Sequence, residues 1–151
     1  MLLIKFTAGN EAYLIDTRSV IEVTTLVRLK KFPGKTDGIA GLLNYHGTAV
    51  PVIDINHLFD TPSAQNTLTT RIMVVNYLDD NIIGIKADNI TDTIQIDKKE
   101  FKNPGLELNN KQFLGDVVEI DKRFVQLVDI NKLMTEKAYA ALFFEANKAV
   151  G

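Results

Sequence analysis

A repeated motif constrains this chain more than any other feature of its sequence. The stretch VIDINHLF, which begins at Val52, returns 75 residues later as LVDINKLM, which begins at Leu127. Asp, Ile, Asn and Leu are identical in the two copies, and the other apolar positions match in kind. Two copies are too few for a solenoid, in which stacked neighbours bury a continuous core. The repeat therefore predicts a duplicated small β domain.

The duplication extends upstream of this motif. Each half opens with an apolar hairpin that ends in an aspartate, Asp16 or Asp88, and continues through a polar break into a third strand. Residues 60–70 are polar, rich in Thr and contain Pro62, which is typical of a connection between the halves. We therefore expect one domain over residues 1–151, built from two interleaved barrel subdomains at about 1–65 and 66–134.

Short apolar runs separated by turn residues predict about ten strands. The run at residues 72–75 is apolar throughout, which indicates a strand buried on both faces. A tight turn is predicted at His46–Gly47, and short helical turns are predicted after Asp54 and Asp129. An apolar stripe over residues 135–148 predicts a C-terminal helix. The pattern favours an all-β pair of barrels over an open α/β sheet.

Composition excludes several classes of function. The chain has no cysteine, which rules out disulfides, thiolate metal sites and thiol catalysis. No apolar run approaches the ~20 residues of a membrane span. The apolar stretch at the start of the sequence is too short for a signal peptide. We expect a cytoplasmic protein without membrane insertion. The net charge of −2 gives no general attraction to nucleic acid.

The candidate chemical groups favour binding over catalysis. His46 and His57 have no third ligand at a metal-site spacing, and no phosphate-binding loop or nucleophile motif occurs. Asp54 and Asp129 could form a carboxylate pair, but an Asp before a helical turn more commonly accepts from its free amides; Asn56 is a second candidate cap. We predict no catalytic residue, cofactor or metal, and strand surfaces that bind other proteins.

A basic segment over residues 27–35 leaves an alternative open. It carries Arg28, Lys30, Lys31 and Lys35, and could bind nucleic acid as part of a small β-barrel. Such barrels usually present several aromatic side chains for base stacking, and this segment has only Phe32. A solvated loop or a loop that docks a protein is the favoured interpretation.

The central stretch resembles the signature of the CheW family, the adaptors of bacterial chemotaxis arrays. That family carries G-x-x-N-x-R-G, then an apolar strand with Pro, then V-I-D-L; here the chain has GLLNYHG from Gly41 and VPVIDI from Val50. FTAGNEAYLIDTRSVIEV from Phe6 is similar to the family's opening hairpin. RIMVVNYLDDNIIGIKADNITDTIQI from Arg71 and the stretch from Phe113 to Met134 are similar to its later segments. The resemblance covers nearly the whole chain.

The resemblance implies one CheW-like domain of two packed, five-stranded, SH3-like barrels, acting as a non-catalytic adaptor. The implied partners are the regulatory domain of a CheA-type histidine kinase and the cytoplasmic tip of a chemoreceptor, with no nucleic acid. The positions that match the family's receptor-side pattern are Val20, Glu22, Ile39, Gly41, Asn44 and His46. The kinase-binding residues are left unassigned.

Position 46 departs from the family pattern, because His46 stands where the family has arginine. Arginine offers a fixed charged fork, whereas histidine is shorter and mostly neutral at pH 7. This difference leaves open a divergent receptor or a pilus-type chemosensory pathway. It also leaves open a part of the array that makes no receptor contact.

Overall fold

The computed structural model describes residues 1–31, 38–62, 67–78, 80–90, 93–104 and 113–133. These residues form ten strands, which confirms the predicted number: β1 (Leu2–Ala8), β2 (Glu11–Asp16), β3 (Val20–Thr25), β4 (Ile39–Tyr45), β5 (Thr48–Asp54), β6 (Arg71–Tyr77), β7 (Asn81–Ala87), β8 (Thr93–Gln95), β9 (Leu114–Ile120) and β10 (Arg123–Val128). A short helix, α1 (Ile55–Leu58), and 3₁₀ turns at Thr17–Ser19, Lys98–Glu100 and Ile130–Lys132 connect them. The predicted helix over residues 135–148 lies outside the described residues.

The strands form two five-stranded sheets. One has the order β8-β1-β2-β10-β9, and the other has the order β3-β6-β7-β5-β4. Neighbouring strands are antiparallel except for the pairs β2–β10 and β5–β7, which are parallel. The predicted fold class, all-β with two SH3-like barrels, is confirmed.

Each sheet takes strands from both halves of the chain. If every strand from β1 to β5 is exchanged with its counterpart from β6 to β10, the order of one sheet becomes the order of the other. One sheet, which we call the continuous barrel, uses residues 20–87, and the other, the split barrel, uses residues 2–16 and 93–128. The strand order agrees with the predicted duplication, but the predicted division into residues 1–65 and 66–134 separates neither sheet. The reason is the 3₁₀ turn at Thr17–Ser19, which leads the chain out of its first hairpin and into the other barrel.

The two barrels are closed in the same way. In the continuous barrel, the segment that follows the outer strand β3 runs beside β4, the other outer strand. There Lys30 and Leu42 exchange backbone hydrogen bonds of 2.8 and 2.7 Å. Beyond β8, the chain returns along β9, where Lys102 and Val117 exchange bonds of 2.8 and 2.9 Å. Each return segment covers the edge of an outer strand that would otherwise expose unpaired backbone groups.

Three apolar clusters fill the structure, one inside each barrel and one between the barrels. Alternate residues of β6 belong to different clusters: Ile72 and Val74 face the interior of the continuous barrel, whereas Met73, Val75 and Tyr77 face the split barrel. This arrangement confirms that the apolar run in β6 is buried on both faces, since all five side chains are at most 1% exposed. The layer between the barrels therefore holds the two sheets together.

The repeated Asp-Ile-Asn motif ends one barrel and contacts the other. Asp54 and Asp129 each accept a hydrogen bond from the backbone N–H two residues on, at 3.0 Å, and both are the N-caps that the sequence predicts. Asn56 is not a cap. Its Oδ1 accepts from the N–H of Gly9, in the β1–β2 turn of the split barrel, at 3.2 Å. The Oδ1 of Asn131 accepts from the N–H of Leu78, beyond β6 of the continuous barrel, at 3.0 Å.

Removal of either capping aspartate should destabilise the protein. We expect Asp54→Ala and Asp129→Ala to lower the free energy of unfolding by about 0.5–2 kcal/mol, because the first amides of each turn lose their acceptor. Denaturant unfolding followed by circular dichroism measures this change. An unchanged stability together with lost partner binding would contradict the structural role of these residues.

Asn56 and Asn131, which each accept a hydrogen bond from the opposite barrel, should contribute unequally to stability. Asn56 is 5% exposed, and its side chain also donates to Asp54 and accepts from the hydroxyl of Thr61, so Asn56→Ala removes several hydrogen bonds at a buried position and should cost about 1–3 kcal/mol. Asn131 is exposed, water can replace its side chain, and Asn131→Ala should cost less than about 1 kcal/mol. The same unfolding measurement compares the two variants. Equal losses of stability would show that burial does not determine how much each asparagine contributes.

Candidate functional site

All six residues of the predicted receptor-side set belong to the continuous barrel. They lie on β3, on β4 and in the turn after β4: Val20 and Glu22 on β3, Ile39, Gly41 and Asn44 on β4, and His46 in the turn. Because β3 and β4 are the two outer strands of one curled sheet, residues far apart in its strand order can meet at its seam.

A side-chain hydrogen bond connects the two outer strands. The hydroxyl of Tyr45 donates to Oε2 of Glu22 at 2.9 Å. This hydrogen bond raises the pKa of Tyr45, with smaller contributions from desolvation and from the negative charge of Glu22, so the phenol stays protonated and remains a donor. Sequence reasoning missed Tyr45, because no local pattern connects two residues 23 positions apart.

The turn between β4 and β5 has the predicted form. His46 and Gly47 both have positive φ, 51° and 86°, as in the two-residue turns that suit the twist of a hairpin. The Oδ1 of Asn44 accepts from the N–H of Gly47 at 2.9 Å and fixes the turn. His46 is exposed and stands edge-on to the ring of Tyr45, with centroids 4.5 Å apart.

The structure divides the predicted set into two groups. Glu22, Asn44 and His46, which we call the outer group, are exposed around Tyr45. Val20, Ile39 and Gly41 form the inner group: the first two are half-buried against the apolar layer between the barrels, and Gly41 is buried. Asn44 lies five positions beyond Ile39 on the same extended strand, a distance of roughly 17 Å.

Gly41 lets the chain return along β4. A Cβ at this position would lie 2.7 Å from Cβ of Leu29 and 2.7 Å from the carbonyl oxygen of Lys30. The backbone φ of Gly41 is +152°. No other residue type fits this backbone conformation and this contact together. The glycine that the sequence assigns to the receptor side therefore also determines where residues 26–31 run.

Residues 26–31 bring two cations to the β4–β5 turn. Leu29 packs against the interior cluster of the continuous barrel, while Arg28 and Lys30 are exposed. These two residues line a cavity of about 370 Å³ together with Leu42, Leu43, Asn44, Gly47 and Ala49. The sequence shows that this segment is basic, but not that it lies beside Asn44.

The described residues offer polar contacts rather than a metal centre. Within these ranges, no three His, Asp or Glu side chains are grouped closely enough to hold a metal ion. The same ranges contain no helix with the length and apolar character needed to cross a membrane. The arrangement of the outer group suits hydrogen bonding to the surface of another protein.

Comparisons with known proteins all indicate the same protein family. The family described as CheW-like domain matches residues 2–138. The chain is 28% identical to Chemotaxis protein CheW of Klebsiella aerogenes over 138 residues, which cover 89% of this chain and 82% of that protein. It is 23% identical to Chemotaxis protein CheW of Bacillus subtilis, with 90% and 88% covered.

A solved structure shares the fold. The crystal structure of the scaffolding protein TtCheW from Thermoanaerobacter tengcongensis superposes with a TM-score of 0.80, covering 91% of this chain and 94% of that chain. The sequence identity is 23%, so this likeness bears on the fold alone.

Two glycine substitutions should separate steric contact from backbone conformation. Gly41→Ala places a Cβ against backbone and side-chain atoms at 2.7 Å, and should lower the free energy of unfolding by about 2–5 kcal/mol. In Gly47→Ala the added Cβ has no atom within 4 Å, so only the strain of a positive φ should lower the free energy of unfolding, by about 1–2 kcal/mol. Thermal and denaturant unfolding measure both, and equal losses would show that residues 26–31 do not press on Gly41.

Proposed function

The chain belongs to the family of CheW-like domains, and from this membership we propose that it is a non-catalytic adaptor that joins chemoreceptor tips to a CheA-type histidine kinase. The observation that carries the proposal is the family match over residues 2–138, which includes all ten strands. An adaptor of this kind works in the cytoplasm and binds no nucleic acid. The relatives bear the name Chemotaxis protein CheW, which supports the same pathway.

We propose the outer group as the part of the site that touches the receptor. Glu22, Asn44 and His46 present polar atoms at the surface, and the Tyr45–Glu22 hydrogen bond holds both outer strands in place. The inner group, Val20, Ile39 and Gly41, then supports this surface and supplies apolar contact where the two barrels meet. A receptor helix laid in such a groove uses apolar anchors and a polar rim.

A second candidate function rests on His46. Without the charged fork of an arginine, the receptor contact is weaker, and the chain could serve array assembly without it. In that case the protein would bind the kinase regulatory domain and not the receptor tip. Titration calorimetry with each purified partner from the same organism distinguishes the two functions. If neither partner binds, the adaptor proposal is wrong.

The substitution His46→Arg should strengthen receptor binding. A charge-assisted hydrogen bond contributes roughly 1.5–3 kcal/mol against about 1 for a neutral bond, so we expect about fivefold tighter binding at pH 7.5. Calorimetric titration with a receptor-tip fragment at pH 7.5 measures this effect.

The matched control is His57→Arg, the same substitution at the chain's other histidine, which is exposed on α1, packs beside Gly38 and is not part of the outer group. This control should leave receptor binding unchanged, and neither variant should alter binding of the kinase regulatory domain. Equal strengthening of receptor binding by His46→Arg and His57→Arg would assign the effect to added positive charge rather than to position 46.

A further inference from the structure

Two positive charges at the proposed receptor site have no negative partner among the described residues. Arg28 and Lys30 are both exposed, and within the described residues neither forms an ion pair. The other described residues that line their cavity carry no charge: Leu42, Leu43, Asn44, Gly47 and Ala49. The carboxylate of Glu22, on the outer strand β3, accepts from Tyr45. The cavity is therefore a cationic recess on a chain whose net charge is −2.

The fold holds these charges in place. Lys30 is fixed to β4 by two backbone hydrogen bonds with Leu42, at 2.8 and 2.7 Å. Leu29 is anchored in the barrel interior and against Gly41, so the residues on either side of it are directed away from the core. A partner that binds here does not have to order this segment, which lowers the entropic cost of binding.

The recess is continuous with the turn that carries His46. Asn44 and Gly47 line the cavity and also make the hydrogen bond that fixes this turn. The oxygen of the Asn44 amide accepts from Gly47, so its amide nitrogen remains as a donor. Two cations and an amide donor around one opening are complementary to a carboxylate, which accepts several hydrogen bonds and pairs with a guanidinium through two oxygens.

We propose that Arg28 and Lys30 bind an acidic side chain, Glu or Asp, of the chemoreceptor tip, and so provide the cationic contact that is not supplied at position 46. This inference rests on the proposed adaptor function. The receptor is the occupant, rather than the kinase, because the recess shares Asn44 with the outer group. A nucleic acid is not favoured, because two cations are few and none of the described residues that line the cavity is aromatic.

The test is a charge-neutral double variant, Arg28→Gln with Lys30→Gln. Its control is Lys122→Gln with Arg123→Gln, which removes the same charge at the β9–β10 turn, the counterpart of the His46–Gly47 turn in the split barrel. Binding of a receptor-tip fragment is measured by calorimetry at ionic strengths of about 0.1 and 1 M. Binding of the kinase regulatory domain and thermal unfolding are measured for both variants to check that they fold.

The double variant should bind the receptor roughly tenfold more weakly at 0.1 M, and the difference should fall below about threefold at 1 M, where salt screens the contact. The control should bind like the wild type. Equal receptor binding by the wild type and the double variant overturns this inference and leaves the adaptor function standing. Equal weakening by both variants also overturns it, since net charge alone would then explain the loss.

Two other outcomes concern the partner. If the folded double variant loses kinase binding and keeps receptor binding, the proposed occupant is wrong. If the wild-type protein binds the kinase domain and no receptor fragment, both the receptor half of the proposed function and this inference fall together.

Discussion

The apolar layer between the two barrels is the constraint on which the rest of the structure depends. Met73, Val75 and Tyr77 from the continuous barrel meet Ile4, Phe6 and Ile15 from the split barrel in this layer. Because these strands also face their own barrel interiors, their backbones run between two apolar clusters. Polar groups at the strand ends must then find partners inside the protein, since burial without a hydrogen bond is costly. The buried side chain of Asn56 meets this requirement by accepting from the N–H of Gly9, in the turn of the opposite barrel.

The two halves of the duplication share their capping residues and backbone bridges but differ in their surface residues. Asp54 and Asp129 cap equivalent turns, and Lys30 and Lys102 make equivalent bridges to the last hairpin of each barrel. These pairs act through backbone geometry, which the two halves share. The surfaces differ: the half-buried Ala49 on β5 corresponds to Phe124 on β10, which is 69% exposed. A specific function of one barrel therefore has to come from the residues that differ between the halves.

The candidate site is located where the continuous barrel closes. Its two outer strands, β3 and β4, are linked by Tyr45 and Glu22, and residues 26–31 cover the free edge of β4. An outer strand that is closed in this way cannot pair with a further strand at the covered residues, so a partner would contact side chains rather than backbone. This arrangement fits recognition of a folded partner by polar and charged groups.

The sequence by itself determined the ten strands, the turn at His46–Gly47 and the capping aspartates, because each depends on neighbouring residues: alternating polarity, backbone conformation, or an acceptor before a helical turn. It also determined the duplication and, through the spacing of its motifs, the family. Only the tertiary structure decided how the strands of the two halves are shared between the barrels. Asn56 illustrates the reason, since local reasoning assigned it to its own turn while its side chain binds Gly9, 47 positions away. Tyr45 with Glu22, and Arg28 and Lys30 beside Asn44, are likewise contacts that the curvature of the sheet creates, and no spacing along the chain encodes that curvature.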